Sequence, residues 1–243
     1  MSVDDHRIPI APIAGALAGA ALLGYALPAL AGALPGLRAP LGIEDRTASG
    51  RGCALTFDDG PHAQGTPAVL SALADAGVTA TFFLVGEQVE RNPTLASEIV
   101  AAGHGVALHC DRHRNLLRLT PRQVRDDIDR AQARIEQASG VQISLYRPPY
   151  GVLNSCALRI ARQRRWRTLL WSHWGRDWEA AATPETITAR ITDGVRDGAV
   201  LLLHDADDYA AEGSWRATAA ALPAILEAVQ ALGEPFVACT QST

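Results

Sequence analysis

Three Thr-Pro pairs, Thr66-Pro67, Thr120-Pro121 and Thr183-Pro184, each open a stretch of helical composition, and each stretch lies between short apolar runs. A threonine there can accept from the first free N–H groups of a helix, and a proline one position later forfeits no hydrogen bond. Gly77, Gly103 and Gly140 stand where these or neighbouring helices should stop. The apolar runs read as strands at 53–57, 80–85, 106–109, 143–146, 168–172, 200–203 and 236–239. The second and sixth are almost wholly apolar or β-branched, as strands buried on both faces are. Seven strands alternating with helices predict an α/β fold around a parallel sheet, open or closed into a barrel.

The 243 residues suit one domain plus a short extension. A net charge of -4 leaves no basic footprint, and the arginines between 159 and 167 read as a solvated helix face, so no nucleic-acid partner is expected. Residues 1–48 differ from the expected domain at 49–243. No charged residue occurs from Ile8 to Leu37, a run longer than the ~20 residues a helix needs to span a bilayer. It reads as a membrane anchor. Ala29-Leu30-Ala31 also fits the cleavage site of a secretion signal, and an Ala-rich hairpin packed on the domain is the third reading. Anchor and signal both place the remainder outside the cytoplasm, either membrane-anchored or secreted. Residues 42–52 are polar and Gly-containing and read as a linker. Cys53, Cys110, Cys156 and Cys239 lack zinc-ribbon spacing and allow three full pairings or none. Cys53 and Cys239 lie in the first and last expected strands, which would be neighbours in a closed barrel.

Active sites of parallel α/β folds form at the carboxyl ends of strands. Asp58 and Asp59 follow the first expected strand, His109 and His113 the third, Arg147 the fourth, Asp177 the fifth and His204 the sixth. Adjacent residues leaving a strand point in different directions. One of the two aspartates can therefore ligate a cation while the other faces an attacking water. The His109-x-x-x-His113 spacing places two imidazoles on one side of a single helical turn. Two histidines and a carboxylate with open positions suit Zn²⁺ or a similar divalent metal, which acidifies water and polarises a carbonyl.

These segments carry a resemblance. Asp58-Asp59-Gly60-Pro61, His109-x-x-x-His113, Arg147-Pro148-Pro149-Tyr150-Gly151, Asp177-Trp178 and Leu202-Leu203-His204-Asp205 follow the order and spacing of the polysaccharide deacetylases. This is the NodB-homology group, carbohydrate esterase family 4, and the chain resembles it over about residues 52–240. The resemblance implies a distorted (β/α) barrel. It also implies a hydrolase of carbon–nitrogen bonds in linear amides, releasing acetate from N-acetylglucosamine in peptidoglycan or chitin-like polymers. Asp59, His109 and His113 would hold the metal, Zn²⁺ by ligand type, with Co²⁺, Ni²⁺ or Mn²⁺ as alternatives. Asp58 would be the general base, with Arg147 paired to it. The Tyr150 N–H would bind the oxyanion. His204 would protonate the leaving amine, with Asp177 holding its tautomer. Trp178 and Leu202 would wall the acetyl pocket.

Two positions depart from the family. Cys110 stands where Ser or Thr is usual, and Trp174 where many relatives have Asp. Trp171 and Trp174 read either as packing or as flat faces for pyranose rings. Rival readings are an O-acetyl esterase acting on xylan and a silent carbohydrate-binding homologue. A third is a hydrolase using Cys110 as nucleophile, which its adjacency to His109 disfavours.

Overall fold

The computed structural model describes Gly19 and residues 22–239. Eight strands form one all-parallel sheet: β1 (Ile43–Glu44), β2 (Ala54–Asp58), β3 (Thr81–Val85), β4 (Gly105–Cys110), β5 (Leu145–Tyr146), β6 (Arg167–Leu169), β7 (His173–Trp174) and β8 (Val200–His204). Their spatial order is β1-β6-β5-β4-β3-β2-β8-β7. β6 and β7 lie near opposite ends of that order, yet only residues 170–172 join them. Three residues reach about 10 Å, so the sheet must curl until its two sides nearly meet. The joining segment bonds to both. The Leu170 N–H donates to the Glu44 carbonyl at 2.7 Å and the Ser172 N–H to that of Val200 at 3.0 Å. The result is a distorted (β/α) barrel with a seam that the chain itself crosses.

Strand pleating sorts side chains by parity. Leu55, Phe57, Phe82, Leu84, Val106, Leu108, Tyr146, Leu201 and Leu203 join the large core beneath the outer helices. The alternate set, including Ala54, Phe83, Ala107, Leu145 and Val200, fills the barrel interior with Cys239. Continuing the interior parity to the carboxyl ends of the strands arrives at Asp58, His109, Arg147 and His204. Side-chain alternation alone therefore points four candidate residues into one space.

Several expectations need correction. The described residues hold eight strands where about seven are expected, because β1 and β7, two residues each, are too short for a hydrophobic period to register. β1 falls inside the stretch expected as a linker, pairs with β6, and is followed by an Arg46–Ala199 bridge. The expected last strand is a single bridge between Phe236 and Cys53. No disulfide forms there, and all four cysteines are free thiols. Thr120 and Thr183 cap their helices with capping boxes to Gln123 and Thr186. Thr66 does not, since its helix (Gly65–Ala76) starts two residues before the expected Pro67 and its hydroxyl turns to Asp205 instead. The arginines between 159 and 167 are not simply solvated: Arg164 pairs with Asp129 and Arg167 with Glu44. Of the uncharged leader, residues 8–21 apart from Gly19 lie outside the described residues. From Leu27 it forms short turns, and among the described residues no helix is long and apolar enough to cross a membrane.

Candidate active site

Eight of the ten expected residues line one cavity of about 220 Å³: Asp58, Asp59, His109, His113, Tyr150, Trp178, Leu202 and His204. Arg147 and Asp177 stand behind it, fully buried. Arg147 donates through Nη1 to Asp58 Oδ1 at 2.7 Å and Thr56 Oγ1 at 2.9 Å. Its Nε and Nη2 donate to the carbonyls of Leu169 and Leu170, both at 3.0 Å. The guanidinium also lies 3.9 Å over the Phe83 ring. A buried cation with every edge engaged fixes Asp58 in place.

Asp59 leaves β2 at a φ of 79°, in the left-handed region, which turns it away from Asp58. Its Oδ1 lies 3.4 Å from His109 Nε2 and 3.3 Å from His113 Nε2. His109 Nδ1 is 2.8 Å from the Arg147 carbonyl oxygen. A carbonyl only accepts, so Nδ1 carries the proton and Nε2 presents a lone pair to Asp59. Two electron-rich atoms thus face each other in a buried place, and Asp59 Oδ1 has no hydrogen-bond partner. That is the signature of a missing cation. Ligands ~2.1 Å from a tetrahedral metal stand about 3.4 Å apart, so the donor set and its spacing fit a divalent ion. Burial would raise the Asp59 carboxyl. A proton carried by His109, His113 or His204 outweighs it, and these histidines hold Asp59 well below the usual range. Burial also pushes His113 down to about 4, which leaves it neutral and able to ligate.

The two histidines do not share a helical turn, contrary to the spacing argument. His109 is the penultimate residue of β4, and His113 sits in the loop after it. The loop is folded back by buried aspartates. The Asp111 N–H donates to Asp127 Oδ2 at 2.8 Å, and Asp111 itself accepts from Arg130 and Arg134. Tyr209 completes the support: its ring stacks on His113 at 4.6 Å and its hydroxyl donates to Glu87 at 2.6 Å.

Across the cavity, His204 Nδ1 donates to Asp177 Oδ1 at 2.9 Å. Asp177 Oδ2 accepts from the His204 backbone N–H and from Thr218. Burial alone would lower the His204 pKa. The charge and hydrogen bond of Asp177, with Asp59 and Asp58 nearby, push it up to about 10. A cation beside Asp59 opposes that rise by cancelling one of those charges. His204 Nε2 is left free of the Asp177 anchor and, when protonated, can donate into the cavity.

Trp171, Trp174 and Tyr209 also line the cavity. Trp171, Trp174 and Trp178 run in a chain toward His204 with centroids 5.4–5.8 Å apart, the first pair tilted and the next two contacts edge to face, and Trp174 and Tyr150 are exposed at the rim. Tyr209 carried no signal in the sequence, since it sits in a polar loop without periodicity. Asp205 was part of a recognised segment but had no role. It is fully buried, hydrogen-bonded by Thr66 at 2.5 Å, and packed so tightly that a Cβ on Gly60 or Gly65 would collide with it. Asp205 thereby shapes the turn after Asp59. Burial pushes its pKa up to about 7. Cys110 is buried, and its thiol is held well above its ordinary value by burial and nearby carboxylates, which makes it a poor nucleophile.

Comparison with known proteins agrees with this geometry. The polysaccharide deacetylase family matches residues 45–168. The chain is 32% identical over 190 residues to a peptidoglycan-N-acetylglucosamine deacetylase of Bacillus cereus, covering 77% of this chain and 86% of that protein. It is 34% identical over 186 residues to a chitooligosaccharide deacetylase of Azorhizobium caulinodans, covering 74% and 88%. Among solved structures, a peptidoglycan N-acetylglucosamine deacetylase in complex with an N-hydroxybenzamide superposes with a TM-score of 0.75 at 28% identity, covering 81% of this chain and 90% of the other. With family and fold both matched, the chain belongs to the polysaccharide deacetylases of carbohydrate esterase family 4 and is an enzyme of that class.

Proposed function

We propose that the protein removes acetyl groups from N-acetylglucosamine units of peptidoglycan or a chitin-like polymer, acting outside the cytoplasm. The observation that carries this reading is one cavity lined by a lone-pair-facing Asp59–His109–His113 cluster, the Arg147-held Asp58 and the Asp177-held His204. The ligand types favour Zn²⁺, with Co²⁺, Ni²⁺ or Mn²⁺ as alternatives. When bound, such an ion supplies Lewis acidity toward the amide oxygen and lowers the pKa of water.

The chain's own residues do the rest. Asp58, with one oxygen held by Arg147, takes a proton from the water whose oxygen bonds to the acetyl carbon. The Tyr150 N–H stabilises the resulting oxyanion. His204 then delivers a proton to the sugar nitrogen as the carbon–nitrogen bond breaks, leaving acetate and a free amine. Trp178 and Leu202 enclose the methyl group. At about 220 Å³ the cavity falls below the ~300–1,000 Å³ of sites that enclose a drug-sized ligand. It therefore takes the acetamido end of one sugar while the polymer lies along the aromatic rim.

The test is mass spectrometry of peptidoglycan fragments, N-acetylglucosamine oligomers and acetylated xylan after incubation with the metal-loaded protein. Acetyl loss from the first two is expected. Loss from xylan alone would make the protein an O-acetyl esterase, and loss from none would overturn the reading.

A further inference from the structure

Residues 22–34 of the leader have two unlike sides. One is fastened to the barrel. The Tyr25 hydroxyl donates to the Leu119 carbonyl and accepts from Asn154, both at 2.7 Å. Pro28 and Ala31 are buried. Gly32 lies so close to Gly151 that a Cβ would stand 3.1 Å from its carbonyl oxygen. Arg38 closes the attachment, donating to the carbonyls of Ala31 at 3.0 Å and Trp171 at 3.1 Å while pairing with Asp45 at 2.7 Å. The other side presents Leu22, Leu23, Leu27, Leu30 and Leu34, each 47–75% exposed. These are five of the nine exposed large apolar residues among the described ones. A patch of that kind marks a contact surface.

We propose that this leucine face rests on a lipid bilayer, with its acyl–headgroup boundary as the occupant, and seats the catalytic barrel directly on the membrane. Three observations select lipid over a protein partner. The patch continues in sequence into residues 8–21, fourteen more positions without a charge. Its backbone runs helically from residue 22 to Ala33, and the strip it exposes carries no charged or polar side chain with which a protein partner could fix its orientation or register. Lipid demands neither. Finally, its inner side is fixed to protein, so lipid cannot surround it and it lies in the interface. Arg38 is already engaged and no other basic residue occurs in the patch, so zwitterionic headgroups suffice. Gly151 adjoins Tyr150, and Trp171 lines the cavity. The seat therefore holds the mouth of the active site near the membrane surface. This inference does not depend on the catalytic reading.

The full chain is mixed with phosphatidylcholine vesicles and followed by flotation and by amide hydrogen exchange. The protein floats with the vesicles, and residues 22–34 gain protection only when vesicles are present. Replacing Leu23, Leu27, Leu30 and Leu34 together with Ser lowers the partition coefficient about 100-fold. Melting temperature and hydrolysis of a soluble N-acetylglucosamine oligomer stay unchanged, because these side chains touch neither core nor cavity. Flotation without new protection at 22–34 would assign the contact to residues 8–21 and overturn the proposal. Protection already present without vesicles and independent of protein concentration would show the patch covered by its own chain. Protection that rises with concentration, together with a doubled mass in light scattering, would show a second copy there. Either result also overturns it.

Discussion

In the proposed reaction Asp58 serves two purposes at once, as the base facing the cavity and as the counter-charge for a fully buried guanidinium. Asp58→Asn should therefore reduce turnover by about 10²–10⁴-fold and lower stability by about 3 kcal/mol, because Arg147 loses its buried partner. Elemental analysis should still find metal, since Asp58 is not in the Asp59–His109–His113 cluster. Near-normal kcat would remove Asp58 as the base. His204 gives a second test, with a defined sign. Its pKa is raised chiefly by Asp177 against the opposing pull of burial. As the proton donor it works in its protonated form, so activity falls as pH rises through that pKa. Asp177→Asn lets burial prevail, and the alkaline limb of the kcat profile should move to lower pH. An unmoved limb would mean that another group sets it. Both residues were legible in the sequence because they sit in short segments at strand ends. Thr56, Asp111, Asp127, Thr218 and Tyr209 were not. Each acts through a partner 41 to 122 residues away or by bracing a loop, as Thr218 does for Asp177 and Tyr209 for Glu87, and no local pattern encodes such pairings.

Among the elements, local chemistry and tertiary assembly divide the legible from the illegible. Strands β2, β3, β4 and β8 were readable because both of their faces are buried and their apolar runs are long. β1 and β7 exist only because the barrel needs edges beside its seam, and two residues carry no period. The same distinction explains the His109–His113 misreading. An i, i+4 spacing suggests a helix, but β4 runs through His109 and the buried aspartates fold the next loop back onto it. The anchor and signal readings set the leader apart from the catalytic domain, whereas Tyr25, Gly32 and Arg38 on its inner side brace the loop that carries Tyr150. Gly32→Leu tests that brace. The added side chain must push on the Gly151 carbonyl and shift its neighbour Tyr150, and misplacing a catalytic group by ~1 Å costs about 100-fold. We expect kcat to fall by about 10–100-fold with metal content unchanged, and Gly32→Ala to do little. Equal activity in the leucine variant would show that the leader and the oxyanion loop are mechanically independent.

At the scale of the whole molecule, the site sets a tension that one ion relieves. Asp59 comes from the end of β2, and His109 and His113 from β4 and its following loop, so the cluster ties together strands on either side of β3. Without a cation, a buried carboxylate oxygen lacks a partner and faces an imidazole lone pair, an arrangement that costs stability. An ion that binds only the folded state adds RT ln(1 + [L]/Kd), about 4 kcal/mol at a thousandfold excess over Kd. For a domain of this size each kcal/mol moves Tm by roughly 2–4 °C. Chelation should therefore abolish activity and lower Tm by about 8–16 °C, and Zn²⁺ should restore both. His113→Ala should melt at the same temperature with or without Zn²⁺, whereas Asp58→Asn, though nearly inactive, should keep most of the zinc-dependent shift. If His113→Ala retained the full shift, the stabilising ion would be bound elsewhere, and the assignment of this cluster as the metal centre would fail even if the enzyme remained metal-dependent.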